Sequence, residues 1–142
     1  MQVHQILQSK GAGVFAVSAD QTVAEAVREL NERRIGAVVV TAKDGRLIGI
    51  LSERDIVRRL TDSESRVLGL PVKSLMTEKP VTCSPADSIE RLMSLMTRHR
   101  VRHLPVVEDG KLAGLVSIGD VVKSRIEEVE QEAEALRAYI AS

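Results

Sequence analysis

Aromatic residues are almost absent from this chain of 142 residues, which has one phenylalanine, one tyrosine and no tryptophan. This scarcity argues against the aromatic stacking surfaces that hold single-stranded nucleic acid. The 20 basic and 20 acidic residues cancel, so no overall field attracts nucleic acid or an anionic membrane. No apolar run reaches the length of a membrane-spanning helix, and the N-terminus lacks the layout of a signal peptide. We therefore expect a soluble cytoplasmic protein.

Catalytic and metal-binding patterns are also missing. The single Cys83 cannot form an intramolecular disulfide and is expected to be a buried thiol. The three histidines, His4, His99 and His103, lack metal-ligand spacing. There is no phosphate-binding Walker loop, no nucleophile–base pair and no cluster of carboxylates for two metal ions. The sequence therefore predicts neither an enzyme nor a metal protein.

What the chain does contain is an internal repeat, because residues 18–60 align with residues 84–126. The offset between the copies is 66 residues up to Val40 and Val106 and 65 residues from Asp44 and Asp109 onward, and the one-residue change falls in a glycine-containing turn, "TAKDG" against "VEDG". We divide the chain into a first repeat at 1–62, a linker at 63–71, a second repeat at 72–126 and a C-terminal amphipathic helix at 127–142.

Each repeat has the same predicted order of elements. Apolar residues at helical spacing predict helices over 22–34 and 88–100, with Ser18 or Asp20, and Ser84 or Asp87, at their starts. The segments "AVVVT" and "LPVVE" predict strands, followed by Asp-Gly turns, returning strands "RLIGIL" and "KLAGLV", and second helices that begin at Ser52 and Ser117. A short helical segment precedes each copy, at 3–8 and 72–77. The expected fold is mixed α/β, with a short three-stranded sheet and two helices per repeat, and the repeats related by a pseudo-twofold axis.

The second turn of each repeat carries a motif, "GILSERD" at 49–55 and "GLVSIGD" at 114–120. A serine followed three residues later by an acid is also the capping box of a helix start, and this interpretation stays open. It does not require the glycine, which removes a side chain where something approaches the backbone closely. The serine and the first helical N–H groups can donate to a phosphate, while the aspartate suits two neighbouring ribose hydroxyls.

With these residues the chain resembles the cystathionine-β-synthase (CBS) domain pair, or Bateman module, from residue 3 to about residue 126. The resemblance implies a non-catalytic regulatory module that binds AMP, ATP, ADP or NAD(H) in clefts between the repeats, senses energy or redox state, and forms a homodimer that acts on an unknown regulated protein. The alternative is a structural dimerisation module with no nucleotide.

The resemblance also implies roles for individual residues. Asp55 and Asp120 correspond to ribose-binding acids, and Ser52 and Ser117 to groups near phosphate or ribose. The expected phosphate ligands are Arg102 and His103, for which the first repeat has Gly36 and Ala37, so the two sites are predicted to be unequal. The expected adenine-lining residues are Phe15, Ala16, Val81 and Thr82. Arg54 is either a surface cation or a second phosphate contact.

Beyond the second repeat, an apolar stripe follows heptad spacing beside an acidic face. Its members are Ile126, Val129, Ala133, Leu136 and Ile140. The segment is too short for an independent coiled coil, so we expect it to pack on its own core or on a second subunit.

Overall fold

A computed structural model describes residues 1–11 and 14–142, with residues 62–65 described by their backbone alone. The elements, in chain order, are α1 (Val3–Lys10), β1 (Ala16–Ser18), α2 (Val23–Arg33), β2 (Ala37–Thr41), β3 (Leu47–Ser52), α3 (Glu53–Ser63), two 3-10 helices (Glu64–Gly69 and Val72–Ser74), β4 (Thr77–Glu78), α4 (Ile89–His99), β5 (His103–Glu108), β6 (Lys111–Ser117) and α5 (Ile118–Ala141). The mixed α/β fold class predicted from the sequence is confirmed. None of the described helices is long and apolar enough to cross a membrane.

The described residues divide into two compact units that cut across the repeats. The four-stranded unit comprises residues 14–80 and 108–113, and the two-stranded unit comprises residues 1–11, 81–107 and 114–142. Helix α1, at the start of the first repeat, thus belongs to the unit built mainly from the second repeat. The segment 72–78, which precedes the second repeat's strands, belongs to the unit built from the first.

The four-stranded unit is built around β2, whose valines 38–40 are fully buried. The sheet order is β1-β2-β3-β4, with β1 parallel to β2 and with β3 antiparallel to both β2 and β4. A strand with neighbours on both sides and no exposed face favours a continuous β-branched run, which "AVVVT" supplies. Helix α2 packs on this sheet through Val23, Ala26 and Leu30.

The segment predicted as a linker contributes to the core of this unit. Its 3-10 helix contains Val67, which is completely buried in the same cluster as Val72 and Leu75. A valine buried in this way typically contributes about 1.5–3 kcal/mol through removal of its apolar surface from water. The segment between the repeats therefore contributes to the hydrophobic core as well as connecting the repeats.

The two-stranded unit contains most of strands β5 and β6 with helices α1, α4 and α5, and the hairpin turn within residues 108–113 belongs to the four-stranded unit. The hairpin turn uses Asp109 and Gly110, which have φ values of 52° and 77°. Where β1 would have its counterpart, Cys83 makes a single parallel bridge to Val106, so the predicted third strand is reduced to one bridge. Cys83 is buried as predicted, and burial raises the pKa of its thiol to about 12.

Three local expectations differ from the structure. Helices α2 and α4 are capped by Thr22 and Ser88, whose hydroxyls accept hydrogen bonds from backbone N–H groups. Ser18 and Ser84 lie four residues before these caps and begin tight turns instead. Only Val72–Ser74 of segment 72–77 is helical, since Thr77 joins the sheet as β4. The second helix of the second repeat and the C-terminal helix are one continuous element, α5, because no glycine or proline interrupts the chain after Gly119.

Candidate functional site

Strand register gathers five of the predicted site residues at one edge of the four-stranded unit. Ala16, at the start of β1, lies opposite Val39, and Ser52, at the end of β3, lies opposite Ala37 at the start of β2. The beginnings of β1 and β2 and the end of β3 therefore share an edge. The predicted residues at this edge are Phe15, Ala16, Ser52, Arg54 and Asp55.

At this edge, Ser52 and Asp55 form a closed hydrogen-bonded turn that starts helix α3. The Asp55 Oδ2 atom accepts from the Ser52 backbone N–H at 2.9 Å and from the Ser52 hydroxyl at 3.0 Å. The Asp55 N–H lies 3.3 Å from Ser52 Oγ, and the Glu53 N–H donates to the Gly36 carbonyl at 3.0 Å. The capping interpretation is therefore correct for this turn. Capping uses one oxygen, Oδ2, and among the described residues the contact to Oδ1 is a long one of 3.4 Å from the Thr77 hydroxyl.

Phe15 has a second partner besides the core that it packs against. The guanidinium carbon of Arg33 lies 3.9 Å from the centroid of the Phe15 ring, which is a cation–π contact. This contact fixes the only phenylalanine in the chain at the edge that carries Ser52 and Asp55. Its predicted role against adenine stays a prediction.

The two-stranded unit repeats the arrangement with different side chains. The Cys83–Val106 bridge sets Thr82 near the start of β5, and the Ile118 N–H donates to the Arg102 carbonyl at 2.8 Å. The start of β5 is thereby tied to the start of α5. The predicted residues brought to this edge are Val81, Thr82, Arg102, His103, Ser117 and Asp120. Arg102 and Thr82 are exposed, and His103 and Val81 are half-buried.

The Ser117–Asp120 turn has the same cap but adds a cation. Asp120 Oδ2 accepts from the Ser117 N–H at 2.9 Å, and the Asp120 N–H donates to Ser117 Oγ at 3.2 Å. The Lys10 ammonium, from the end of α1, donates to the same Oδ2 atom at 2.8 Å and to the Leu115 carbonyl at 2.8 Å. Asp120 is thus ion-paired through its capping oxygen, whereas Asp55 has the Thr77 hydroxyl 3.4 Å from its other oxygen, Oδ1.

Several effects act on the protonation of Asp120. Partial burial raises the pKa of the carboxyl, but hydrogen bonds from Lys10 and Ser117 and the positive charge of Lys10 outweigh it. The net result is a pKa below the ordinary aspartate value of 3.8. The carboxylate is therefore charged near neutral pH, as a hydrogen-bond acceptor for a diol must be.

The two motif glycines, Gly49 and Gly114, lie where other parts of the same chain leave no room for a side chain. A Cβ on Gly49 would lie 2.7 Å from Met76 Sδ and 2.9 Å from the Thr77 carbonyl oxygen. A Cβ on Gly114 would lie 2.5 Å from Leu7 Cδ2. Leu7 and Met76 occupy matching positions in "VHQILQ" and "VKSLMT", the segments that precede the two repeats. The close approach inferred from the sequence is therefore an approach by these side chains.

Two residues beside the aspartates, Lys10 and Thr77, were missed by sequence reasoning. The available signal was the correspondence of segments 3–8 and 72–77, which places both residues in or just after the same short segment. That correspondence does not reveal which repeat each segment packs on. Among the residues that the structure describes, no group of three His, Cys, Asp or Glu side chains is arranged to hold a metal ion.

Two related α/β repeats, each with one Ser–Asp turn between a strand and a helix, define a tandem module with two corresponding candidate sites that differ in the residues beside the aspartate. The CBS domain family model matches residues 10–62 and 72–127, more than half of the chain, and the chain belongs to this family. CBS domain pairs are generally non-catalytic regulatory modules.

Known proteins agree with this assignment. The chain is 35% identical to the mitochondrial CBS domain-containing protein CBSX3 of Arabidopsis thaliana over 97% of this chain and 71% of that protein. It resembles the crystal structure of the CBS-domain containing protein ATU1752 from Agrobacterium tumefaciens, with 42% identity and a TM-score of 0.85, over 88% of this chain and 99% of that one. It also resembles the CBS domain protein PAE2072 from Pyrobaculum aerophilum complexed with AMP, with 29% identity and a TM-score of 0.75, over 84% of this chain and 89% of that one.

Proposed function

We propose that this protein is a regulatory module that binds an adenine nucleotide, with AMP as the first candidate, at the edges that carry Ser52–Asp55 and Ser117–Asp120. The observation that carries the proposal is the gathering of a half-buried Ser–Asp turn, an extended apolar segment and a helix start at one sheet edge in each unit. The related protein complexed with AMP supports the choice of ligand.

The chemistry of each turn fits one part of a nucleotide. A helix start favours a phosphate through its dipole and any N–H group that the cap leaves free, and an aspartate oxygen that the cap does not use can accept from ribose hydroxyls. The extended segments that contain Ala16 and Thr82 offer aliphatic and backbone surface to a planar base. Arg102 adds a cation near the start of α5, because its carbonyl accepts from Ile118 in the first turn of that helix.

A second candidate is a structural module with no nucleotide. The observation in its favour is that both aspartates cap their helices and that Lys10 neutralises Asp120. Under this hypothesis the Ser–Asp turns are complete without a ligand. The regulated partner, the cytoplasmic location and the use of AMP as an energy signal stay predictions.

A thermal-shift series with AMP, ATP, NADH and adenosine on the full chain separates the two candidates. A ligand that binds only the folded state stabilises it by about 2.7 kcal/mol when its concentration is 100 times its Kd. We expect AMP to raise the melting temperature in proportion to the logarithm of its concentration, and guanosine monophosphate to do so less. If none of the adenine compounds shifts the transition at millimolar concentration, the structural module is the correct function.

A further inference from the structure

The Lys10 side chain, at the end of helix α1, reaches the turn that carries Asp120. Its ammonium donates to Asp120 Oδ2 and to the Leu115 carbonyl, each at 2.8 Å. All three residues belong to the two-stranded unit, so these contacts form within one compact body. A lysine beside a predicted ribose-binding aspartate changes the charge that a ligand meets there.

The contact with Leu115 accounts for part of the role of Lys10. Leu115 corresponds to Ile50 in the repeat alignment, and Ile50 pairs with Thr77 of strand β4. The segment of α1 that corresponds to Thr77 is helical, and among the described residues β6 pairs with β5 alone. Lys10 therefore supplies a donor to the edge of a strand that lacks the second neighbour of β3.

The contact with Asp120 is not needed to cap helix α5. The Ser117 N–H donates to Asp120 Oδ2 at 2.9 Å and the Asp120 N–H donates to Ser117 Oγ at 3.2 Å, which completes the cap. The Ser52–Asp55 turn forms the same cap and has a neutral neighbour, the Thr77 hydroxyl, at 3.4 Å. Lys10 therefore adds a positive charge that the turn does not require for its own geometry.

The starts of helices α3 and α5 consequently differ in charge. The first turn of α3 contains Glu53, Arg54 and Asp55, two acids and one base with a sum of −1. The first turn of α5 contains a single charged residue, Asp120, and the Lys10 ammonium brings the sum to zero. The side chains of this pair are 40% and 23% exposed, so a ligand can reach them while water screens them less than a fully exposed pair. Both helix starts attract a phosphate through the dipole, but net acidic charge opposes it only at α3.

We propose that Lys10 is a specificity-determining residue, which cancels the charge of Asp120 so that a phosphate can bind at the same helix start as the ribose. This inference rests on the proposed nucleotide function and adds the ligand class that each site selects. The Asp120 site prefers phosphorylated adenosine over adenosine, and the Asp55 site discriminates between them less. The cap and Lys10 both use Asp120 Oδ2, so Oδ1 is the acceptor assigned to the ribose hydroxyls.

The ligand class of each site is tested by NMR titration of the isotope-labelled full chain with AMP and, separately, with adenosine. The backbone amide signals of residues 52–55 and 117–120 report the two turns separately. We expect the ratio of the adenosine Kd to the AMP Kd to be larger at the Asp120 turn than at the Asp55 turn. Lys10→Met is expected to lower this ratio at the Asp120 turn about fivefold, the effect of one exposed charge contact, and to leave the adenosine Kd within about twofold.

Three further variants separate the charge of Lys10 from its contact with β6. Lys10→Arg keeps the charge and is expected to keep the ratio. Lys10→Gln keeps a donor for the Leu115 carbonyl without the charge and is expected to lower the ratio as Lys10→Met does. Lys73→Met, which removes a lysine from an exposed pair with Asp20, is the control and is expected to leave the ratio unchanged.

The outcomes distinguish this inference from the nucleotide proposal on which it rests. An equal loss of affinity for AMP and adenosine in Lys10→Met and Lys10→Gln, or an unchanged ratio in both, would overturn the specificity role and leave the nucleotide proposal standing. Binding of neither compound to the wild-type protein would instead overturn the nucleotide proposal, and this inference with it.

Discussion

At Gly49 and Gly114, the missing side chain makes room for another part of the same chain. Met76 and the Thr77 carbonyl lie against Gly49, and Leu7 lies against Gly114. The two glycines differ in what opposes them, because a backbone carbonyl cannot move as a leucine side chain can. A side chain at position 49 is therefore expected to lower the free energy of unfolding more than one at position 114.

We expect Gly49→Ala to destabilise the protein by about 2–3 kcal/mol, within the range for forcing an extra methyl group into a packed site. Gly114→Ala is expected to cost about 1–2 kcal/mol, since Leu7 can change rotamer. Gly69→Ala is the control, because its Cβ would meet no atom within 4 Å. Urea unfolding of the three variants measures these costs, and equal stability of Gly49→Ala and Gly69→Ala would contradict the packing role.

The Lys10–Asp120 pair predicts a pH dependence. The pKa of Asp120 is lowered in the folded protein, so its contribution to stability is present above the ordinary value of 3.8 and is lost as the pH falls through the lowered value. In Lys10→Met we expect the pKa of Asp120 to rise and this acid-sensitive contribution to shrink. Unfolding free energies between pH 2 and 6, with NMR titration of the Asp120 carboxyl, measure both effects.

Lys73→Met is the matched control for this prediction. Lys73 pairs with Asp20 at 3.2 Å, but their side chains are 57% and 77% exposed, so water screens the pair. The pH dependence of stability is therefore expected to match that of the wild type. If the unfolding free energy of Lys10→Met depends on pH in the same way as that of the wild type, Lys10 does not stabilise the Asp120 carboxylate.

Among the elements, helices α2 and α4 end in the same unusual way. Arg34 and Arg100, at matching positions of the two repeats, are C-caps in the left-handed conformation, with φ values of 53° and 54°. Residues with a Cβ pay about 1 kcal/mol or more in this conformation, and glycine does not. The repetition of the strain in both repeats makes it a feature of the fold.

We expect Arg100→Gly to raise the free energy of unfolding by about 0.5–1 kcal/mol, since relief of the strain exceeds the added entropy of the unfolded chain. Arg98→Gly, two residues earlier and inside the last turn of the helix, is expected to lower the free energy of unfolding by about 1 kcal/mol. Thermal unfolding of both variants provides the comparison. Destabilisation by Arg100→Gly equal to that by Arg98→Gly would mean that the left-handed cap carries no strain.

Most elements were predictable because local patterns determine them. Helices 22–34 and 88–100 and strand "AVVVT" match α2, α4 and β2 within a residue, since apolar periodicity and buried β-branched runs are local signals. The reduced strand at Cys83 and the sheet strand at Thr77 depend on pairing with distant segments. No local pattern predicts which strand a two-residue segment will join, so these features could not be predicted.

The candidate site was predictable in part for the same reason. Ser52, Asp55, Ser117 and Asp120 form the turns that their spacing indicates. Lys10 reaches Asp120 only because α1 belongs to the unit built from the other repeat, which is a property of the tertiary arrangement. The resemblance supplied the expected roles of Arg102 and His103, which stay predictions.

At the scale of the whole molecule, the duplicated chain has two unequal candidate sites. The Thr77 hydroxyl contacts Asp55, whereas the Lys10 ammonium pairs with Asp120. The second repeat has Arg102 where the first repeat has Gly36. We expect Arg102→Ala to remove most of the preference for AMP over adenosine while leaving adenosine affinity nearly unchanged. Titrations at low and high salt measure this, because charge contacts to phosphate weaken in salt and apolar burial does not. Arg98→Ala is the control, and an equal loss in both variants would contradict a specific phosphate contact.

The central claim is that Asp55 and Asp120 bind the ribose of an adenine nucleotide, and calorimetric titration of AMP into the full chain tests it most directly. Asp87→Asn is the matched control, because Asp87 accepts from Ser84 at 2.8 Å in a turn of the same spacing outside the candidate sites. We predict that AMP binds, and that Asp55→Asn and Asp120→Asn each weaken binding at their own site by about 1–3 kcal/mol while Asp87→Asn leaves it unchanged. Absence of AMP binding, or unchanged affinity in both site variants, would contradict the account.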